Sequence, residues 1–253
     1  MKKQKKIMMT LLLLILGILS SITSVHAKTW MVELKANKTY TTDVNGDGKK
    51  DKFKYVEKNV QSDYPQQTHR IFYINGKTVK DVQSYGTSRI YLYKSSTANE
   101  YLIIGSHWKG GSTDYEVFHC RKALKSIGHL PANHFVDKLS LSGSNIQFVT
   151  YGKFTYVTKY RPSVKLSGGK IILTSKYPKI TGRKSVSAPT TFRTYKSVNS
   201  TKKDGFMIYK GQKINILKVY LKKNYNSYSR QYYYTAFYQI SVNGKKAWIT
   251  SLS

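Results

Sequence analysis

An all-β fold follows from three features of this sequence. Short runs alternate apolar and polar residues with the two-residue period of a half-buried strand, Asn-Gly and Gly-Gly pairs punctuate those runs, and no long stretch repeats its apolar residues at helical spacing. The runs are Trp30–Leu34, Phe53–Glu57, His69–Ile74, Arg89–Tyr93, Tyr101–Gly105, Asp114–His119, Asn145–Thr150, Lys153–Lys159 and Ile171–Thr174. Asn75-Gly76, Gly110-Gly111, Gly168-Gly169 and Asn243-Gly244 accept positive φ at low cost, as tight turns require. Arg121–Ile127 fits either a helix or a strand with a charged face. With 40% apolar and 13% aromatic residues among 253, the chain can bury a core and is not disordered throughout. Cys120 is the only cysteine, which excludes a scaffold built on intrachain disulfides.

Taken in order, the first segment reads as an export signal. Lys2, Lys3, Lys5 and Lys6 precede an apolar run from Ile7 to Ile18, and Val25-His26-Ala27 offers compact residues for cleavage after Ala27. The run is short for a membrane span. Residues 1–27 are therefore expected to leave, and the mature chain to be extracellular, either secreted or peripherally attached to the cell wall. The remaining 226 residues carry 39 basic and 12 acidic side chains. Residues 28–137 hold 17 basic and 11 acidic groups, whereas residues 138–253 hold 22 basic groups and one acid, Asp204. Such a half attracts polyanions through its long-range field. An anionic cell-wall polymer or peptidoglycan is the expected partner once export is granted, with nucleic acid as the rival.

One acidic loop interrupts this background. Asp43-Val44-Asn45-Gly46-Asp47-Gly48-Lys49-Lys50-Asp51 repeats oxygen-bearing side chains at relative positions 1, 3, 5 and 9 with glycine at 6. That spacing suits one calcium held by Asp43, Asn45, Asp47 and Asp51 with the Lys49 carbonyl, in a structural role. Lys54 stands at position 12, where a helical calcium hand needs a bidentate glutamate, and the flanks alternate like strands. A metal-free turn capped by its own side chains is the alternative. The loop resembles those of FG-GAP/VCBS-type repeats, through Asp43, Asn45, Asp47, Gly48, Asp51, the Phe53–Val56 strand and the Ile74–Lys77 turn. That resemblance implies an N-terminal propeller-like or irregular antiparallel β domain over residues 28–185.

Loose composition at Ser185–Pro189 and Ser197–Asp204 places a boundary near 185–190, unless one continuous β domain carries long loops. Past it, YKGQKINILKVYL and FYQISVNGKKAWITSL resemble bacterial SH3-like domains, which implies a small β-barrel over residues 190–253. Phe237 and Ala247 depart from the tryptophan and glycine usual there. Tyr232, Tyr234, Ala236, Tyr238, Ile240 and Val242 fall on one strand face, and Trp248, nearly the last large residue, is expected in the same core. Lys222, Lys223, Tyr225, Tyr228 and Arg230, around the loop joining two long strands, form the candidate ligand-binding set. The same tyrosines could instead pack on neighbouring strands. In its order of segments the whole chain resembles a group of secreted Firmicutes proteins, a likeness that implies architecture and no activity.

Catalysis finds little support. Cys120 ends a strand beside His119 without a peptidase motif, and His119, Cys120 and His129 or His134 show no paired zinc spacing, while His107 beside Trp108 reads as a surface or packing residue. Asp114 and Glu116 share one strand face, whereas glycoside hydrolysis sets two acids across a cleft. The expectation is a secreted, non-catalytic binding protein, with a cell-wall hydrolase and an extracellular nucleic-acid binder as alternatives.

Overall fold

The computed structural model describes residues 28–45, 47–60, 67–85, 89–95, 100–107, 113–121, 124–131, 138–152, 155–228 and 231–250. The expected export signal, the Gly110-Gly111 turn, Trp108, His134, Lys153 and Arg230 lie outside them. Every regular element among the described residues is a strand. In chain order these are β1 (Trp30–Glu33), β2 (Tyr40–Thr42), β3 (Asp51–Val60), β4 (Gln67–Ile74), β5 (Lys77–Tyr85), β6 (Ile90–Lys94), β7 (Glu100–His107) and β8 (Thr113–Cys120). There follow β9 (Leu124–His129), β10 (Ser140–Ser142), β11 (Asn145–Gln147), β12 (Thr150–Gly152), β13 (Thr155–Arg161), β14 (Ser163–Ser167) and β15 (Lys170–Leu173). The last are β16 (Lys179–Ile180), β17 (Ser185–Ser187), β18 (Phe192–Arg193), β19 (Met207–Ile208), β20 (Lys213–Asn226), β21 (Gln231–Val242) and β22 (Lys245–Ile249).

Hairpin chemistry sets the local order. Asn75-Gly76 and Asn243-Gly244 have φ of 50° and 81°, and of 48° and 78°, and each joins two strands through a two-residue turn. Only residues that tolerate positive φ twice in succession close a hairpin this way. Strands β2-β3-β4-β5 form one meander, and β1-β6-β7-β8-β9 form a five-stranded sheet beside it. The Arg121–Ile127 ambiguity resolves to a strand, β9, paired with β8. The expected strand at Asn145–Thr150 divides in two, because β11 pairs with β14 whereas β12 pairs with β13. Phe148 is buried at the switch.

The five-stranded sheet is covered on both faces. Ile90, Leu92, Leu102, Ile104 and Phe118 pack with Phe53, Tyr55 and Phe72 of the meander. Tyr91, Tyr93, Tyr101, Ile103 and Tyr115 pack the other way, on Ile146, Val164 and Leu166 of the β10-β11-β14-β15 sheet. Double burial explains why β6 and the start of β7 read as nearly unbroken apolar runs. A third core gathers Ile214, Ile216, Val219, Leu221, Ala236, Tyr238 and Ile240 of β20 and β21 with Tyr160 of β13.

The C-terminal sheet runs β17-β20-β21-β22, with β17 and β22 as its edges, so no closed barrel forms among the described strands. Length is the reason. Strands β20 and β21 have 14 and 12 residues, whereas β17 has three and covers only the start of β20. The far ends of β20 and β21 therefore project beyond their neighbours. Trp248 also departs from expectation. Ala247 and Ile249 turn into the core, and Trp248 lies half-buried on the outer face against Tyr220.

Candidate functional site

The site grows out of the projecting hairpin. Cross-strand register sets Tyr225 opposite Tyr232, Lys223 opposite Tyr234 and Leu221 opposite Ala236. Successive side chains alternate between faces, so the face that is core at Leu221 becomes a solvent-bearing face at Lys223 and Tyr225. There the Lys223 ammonium sits 3.8 Å from the Tyr232 ring centroid, and Tyr225 tilts against the same ring at 5.1 Å. Burial raises the Tyr234 hydroxyl above its ordinary pKa, as expected where the core gives way to the rim. Tyr225 and Tyr228 are 55% and 98% exposed. The tip tyrosines are thus surface groups, although Tyr225 also packs across the hairpin.

Lys222 belongs to the opposite face. Its ammonium donates to the Val198 carbonyl at 3.0 Å and lies 5.8 Å from the Phe237 ring centroid. A bulge between Ile216 and Lys218 inserts Leu217 and shifts the alternation by one residue. Lys218 thereby joins Tyr220 and Lys222 on the outer face. It spans two rings, at 5.0 Å from Tyr177 and 5.6 Å from Trp248. Tyr220 packs between those rings, 5.4 Å from Tyr177 and 6.3 Å from Trp248. The candidate set is therefore divided: Lys223 and Tyr225 share one face, Lys222 the other, Tyr228 the turn. Sequence reasoning missed Lys218, Tyr177 and Tyr220, because the bulge that turns Lys218 and Tyr220 outward leaves no residue signature and Tyr177 arrives from the segment before β16.

The acidic loop closes between β2 and β3. Asp43 accepts backbone N–H bonds from Asp47 at 3.1 Å and Gly48 at 2.9 Å, and Asn45 Oδ1 accepts from Asp47 at 2.9 Å. Asp47 Oδ1 accepts from the Lys49 amide at 2.8 Å, and Gly48 supplies a φ of 84°. Asp51 is a clasp. Its buried carboxylate accepts from the Val44 amide at 3.1 Å and the Asn75 side chain at 2.6 Å. Asn75 also accepts the Lys52 amide at 2.8 Å, tying the acidic loop to the β4–β5 turn. Among the described residues no three His, Cys, Asp or Glu side chains gather as a metal-holding group. The loop's carboxylate and amide oxygens are nonetheless hard donors that keep lone pairs beyond these bonds, a set whose chemistry fits calcium.

The nucleophile geometry is absent at Cys120. Its thiol is 2% exposed and is pushed well up by burial and by the neighbouring Glu100, the reverse of activation. His119 stacks on Tyr101 at 5.0 Å, and burial holds its imidazole below the ordinary value. Asp114 meets His129 Nδ1, so the carboxylate that shares a strand with Glu116 is engaged by an imidazole instead of standing across a groove.

No protein-family model, no curated protein and no solved structure matches this chain.

Proposed function

We propose that this is a secreted or wall-associated, non-catalytic binding protein that holds anionic surface polymers through its basic C-terminal half. One observation carries the reading: Lys218, Lys222 and Lys223 are stationed over aromatic rings in a half with one carboxylate. A ring fixes an ammonium without neutralising it, so the charge stays available to a polyanion. The β20-β21-β22 meander and the small β18–β19 ribbon support an SH3-like unit at residues 190–253. Successive layers of short antiparallel sheets support a propeller-like arrangement before it, with calcium at Asp43, Asn45, Asp47, Lys49 and Asp51 bracing the first meander. The mature chain should be retained on purified walls and lost from walls stripped of teichoic acid. Equal retention on both overturns the reading.

A further inference from the structure

A cleft of about 650 Å³ opens where β9, β15 and the projecting end of β21 converge. Gly128 lies at the convergence, with φ of 116°: a side chain there would meet Ile171 Cδ1 and the Tyr232 carbonyl, each at 3.8 Å. Ile127, Ile171 and Leu173 give the cleft apolar walls, and Leu173 packs against two of the three cores at once. Around them stand Lys125 from β9, Lys170 from β15 and Lys223 from β20, all exposed. No carboxylate lines the cleft among the described residues. The nearby Asp114 carboxylate is engaged by His129. The Lys170 end is anchored from below, since the Gly169 amide donates to the Tyr101 hydroxyl at 3.2 Å. Three cations from three strands thus face one concave space, held by elements whose cores meet at Leu173.

We propose that this cleft seats a segment of a phosphate-bearing polyol or sugar polymer, an assignment that rests on the polyanion reading above and names its site and ligand class. The lysines meet successive phosphates, and the apolar walls meet the carbon backbone between them. The Tyr232 ring decides against nucleic acid. Its π-face carries the Lys223 ammonium at 3.8 Å, so a stacking base must displace that cation, whereas a phosphate gains from it. A chain with charge but no aromatic rings uses the cleft as it stands.

The test uses the mature chain, a glycerol-phosphate oligomer as probe, and calorimetry at physiological salt. Replacing Lys125, Lys170 and Lys223 together by alanine should weaken binding at least tenfold. Replacing Lys210, Lys213 and Lys245, exposed just before and at the starts of β20 and β22, removes equal charge and should weaken it less than threefold. Ile172→Glu, at a position 45% exposed on the rim, should weaken it as the cleft triple does. Equal losses from the two triples overturn the cleft while leaving the polyanion reading intact. No binding of the oligomer by the unaltered chain, together with no retention on intact walls, overturns both. Inorganic phosphate binding as tightly per phosphate as the oligomer overturns the polymer seat. A single-stranded oligonucleotide that binds more tightly and depends on the same three lysines overturns the ligand class.

Discussion

Between Glu33 and Lys138 the cations of this chain rest in two ways: Lys38, Lys54 and Lys80 lie over the rings of Tyr40, Tyr73 and Phe118, and others meet carboxylates. Arg70 Nε reaches Glu57 at 2.9 Å, Arg89 reaches Glu33 at 2.7 Å, and Lys94 reaches the buried Glu100 at 3.2 Å. Beyond Lys138 the rings remain, but the acidic side chains dwindle to Asp204. Lys218, Lys222 and Lys223 lie over the rings of Trp248, Phe237 and Tyr232, and Asp204 spends its carboxylate on the Lys196 amide and the Ser200 hydroxyl. An ion pair cancels charge, and a ring only positions it. The first region therefore offsets part of its charge internally, whereas the second, with 22 basic side chains and one acid, keeps nearly all of its positive charge.

The largest expected effect breaks the first half. Arg70 is 1% exposed and Glu57 is its carboxylate partner. Glu57→Ala strands a buried guanidinium without that carboxylate and should cost about 3–5 kcal/mol in a denaturant melt. A loss under 1 kcal/mol would show that the ion pairs of this region do little for stability.

Next comes the acidic loop, where Asp43, Asp47 and Asp51 lie within nine residues. With affinity on the order of 10⁻⁴–10⁻³ M, 10 mM calcium should stabilise the mature chain by about 1.4–2.7 kcal/mol. Calorimetry should show one site, and Asp47→Ala should abolish it while the C-terminal sheet keeps its fold. No heat and no shift in melting with EDTA contradicts the site.

The smallest effect sharpens the contrast. Lys218→Ala removes a cation held only by rings and should cost about 0.5–1 kcal/mol of stability. Its loss should show instead as weaker retention on anionic walls. A penalty as large as that of Glu57→Ala would erase the distinction between the two halves.

Much of the fold was legible in the residues because turn chemistry is local. Asn75-Gly76, Gly168-Gly169 and Asn243-Gly244 carry the positive φ that their sequences demand. The inward face of β21 was equally readable from its alternation, from Ala236 to Val242. What escaped depends on long-range pairing. Nothing in Leu217 announces the bulge that moves Lys218 onto the outer face. Trp248 was expected inside because it is large, yet alternation beside the buried Ala247 and Ile249 sends it outward. The candidate site was half legible for the same reason. Lys223 and Tyr225 lie two residues apart and share a face, but their neighbours Lys125 and Lys170 arrive from strands roughly 50 to 100 residues earlier. The Asn75 clasp on Asp51 joins two motifs that the sequence shows only separately.

The central claim, that the second half presents uncancelled charge to a polyanion, is tested most directly by salt. Affinity of the mature chain for teichoic-acid-bearing wall should be measured from about 0.05 to 0.5 M salt. Counterion release predicts a log–log slope of about −3 or steeper, and the exposed tyrosines predict a residual affinity at the upper end that Tyr225→Ala with Tyr228→Ala removes. A flat dependence across that range would contradict the account.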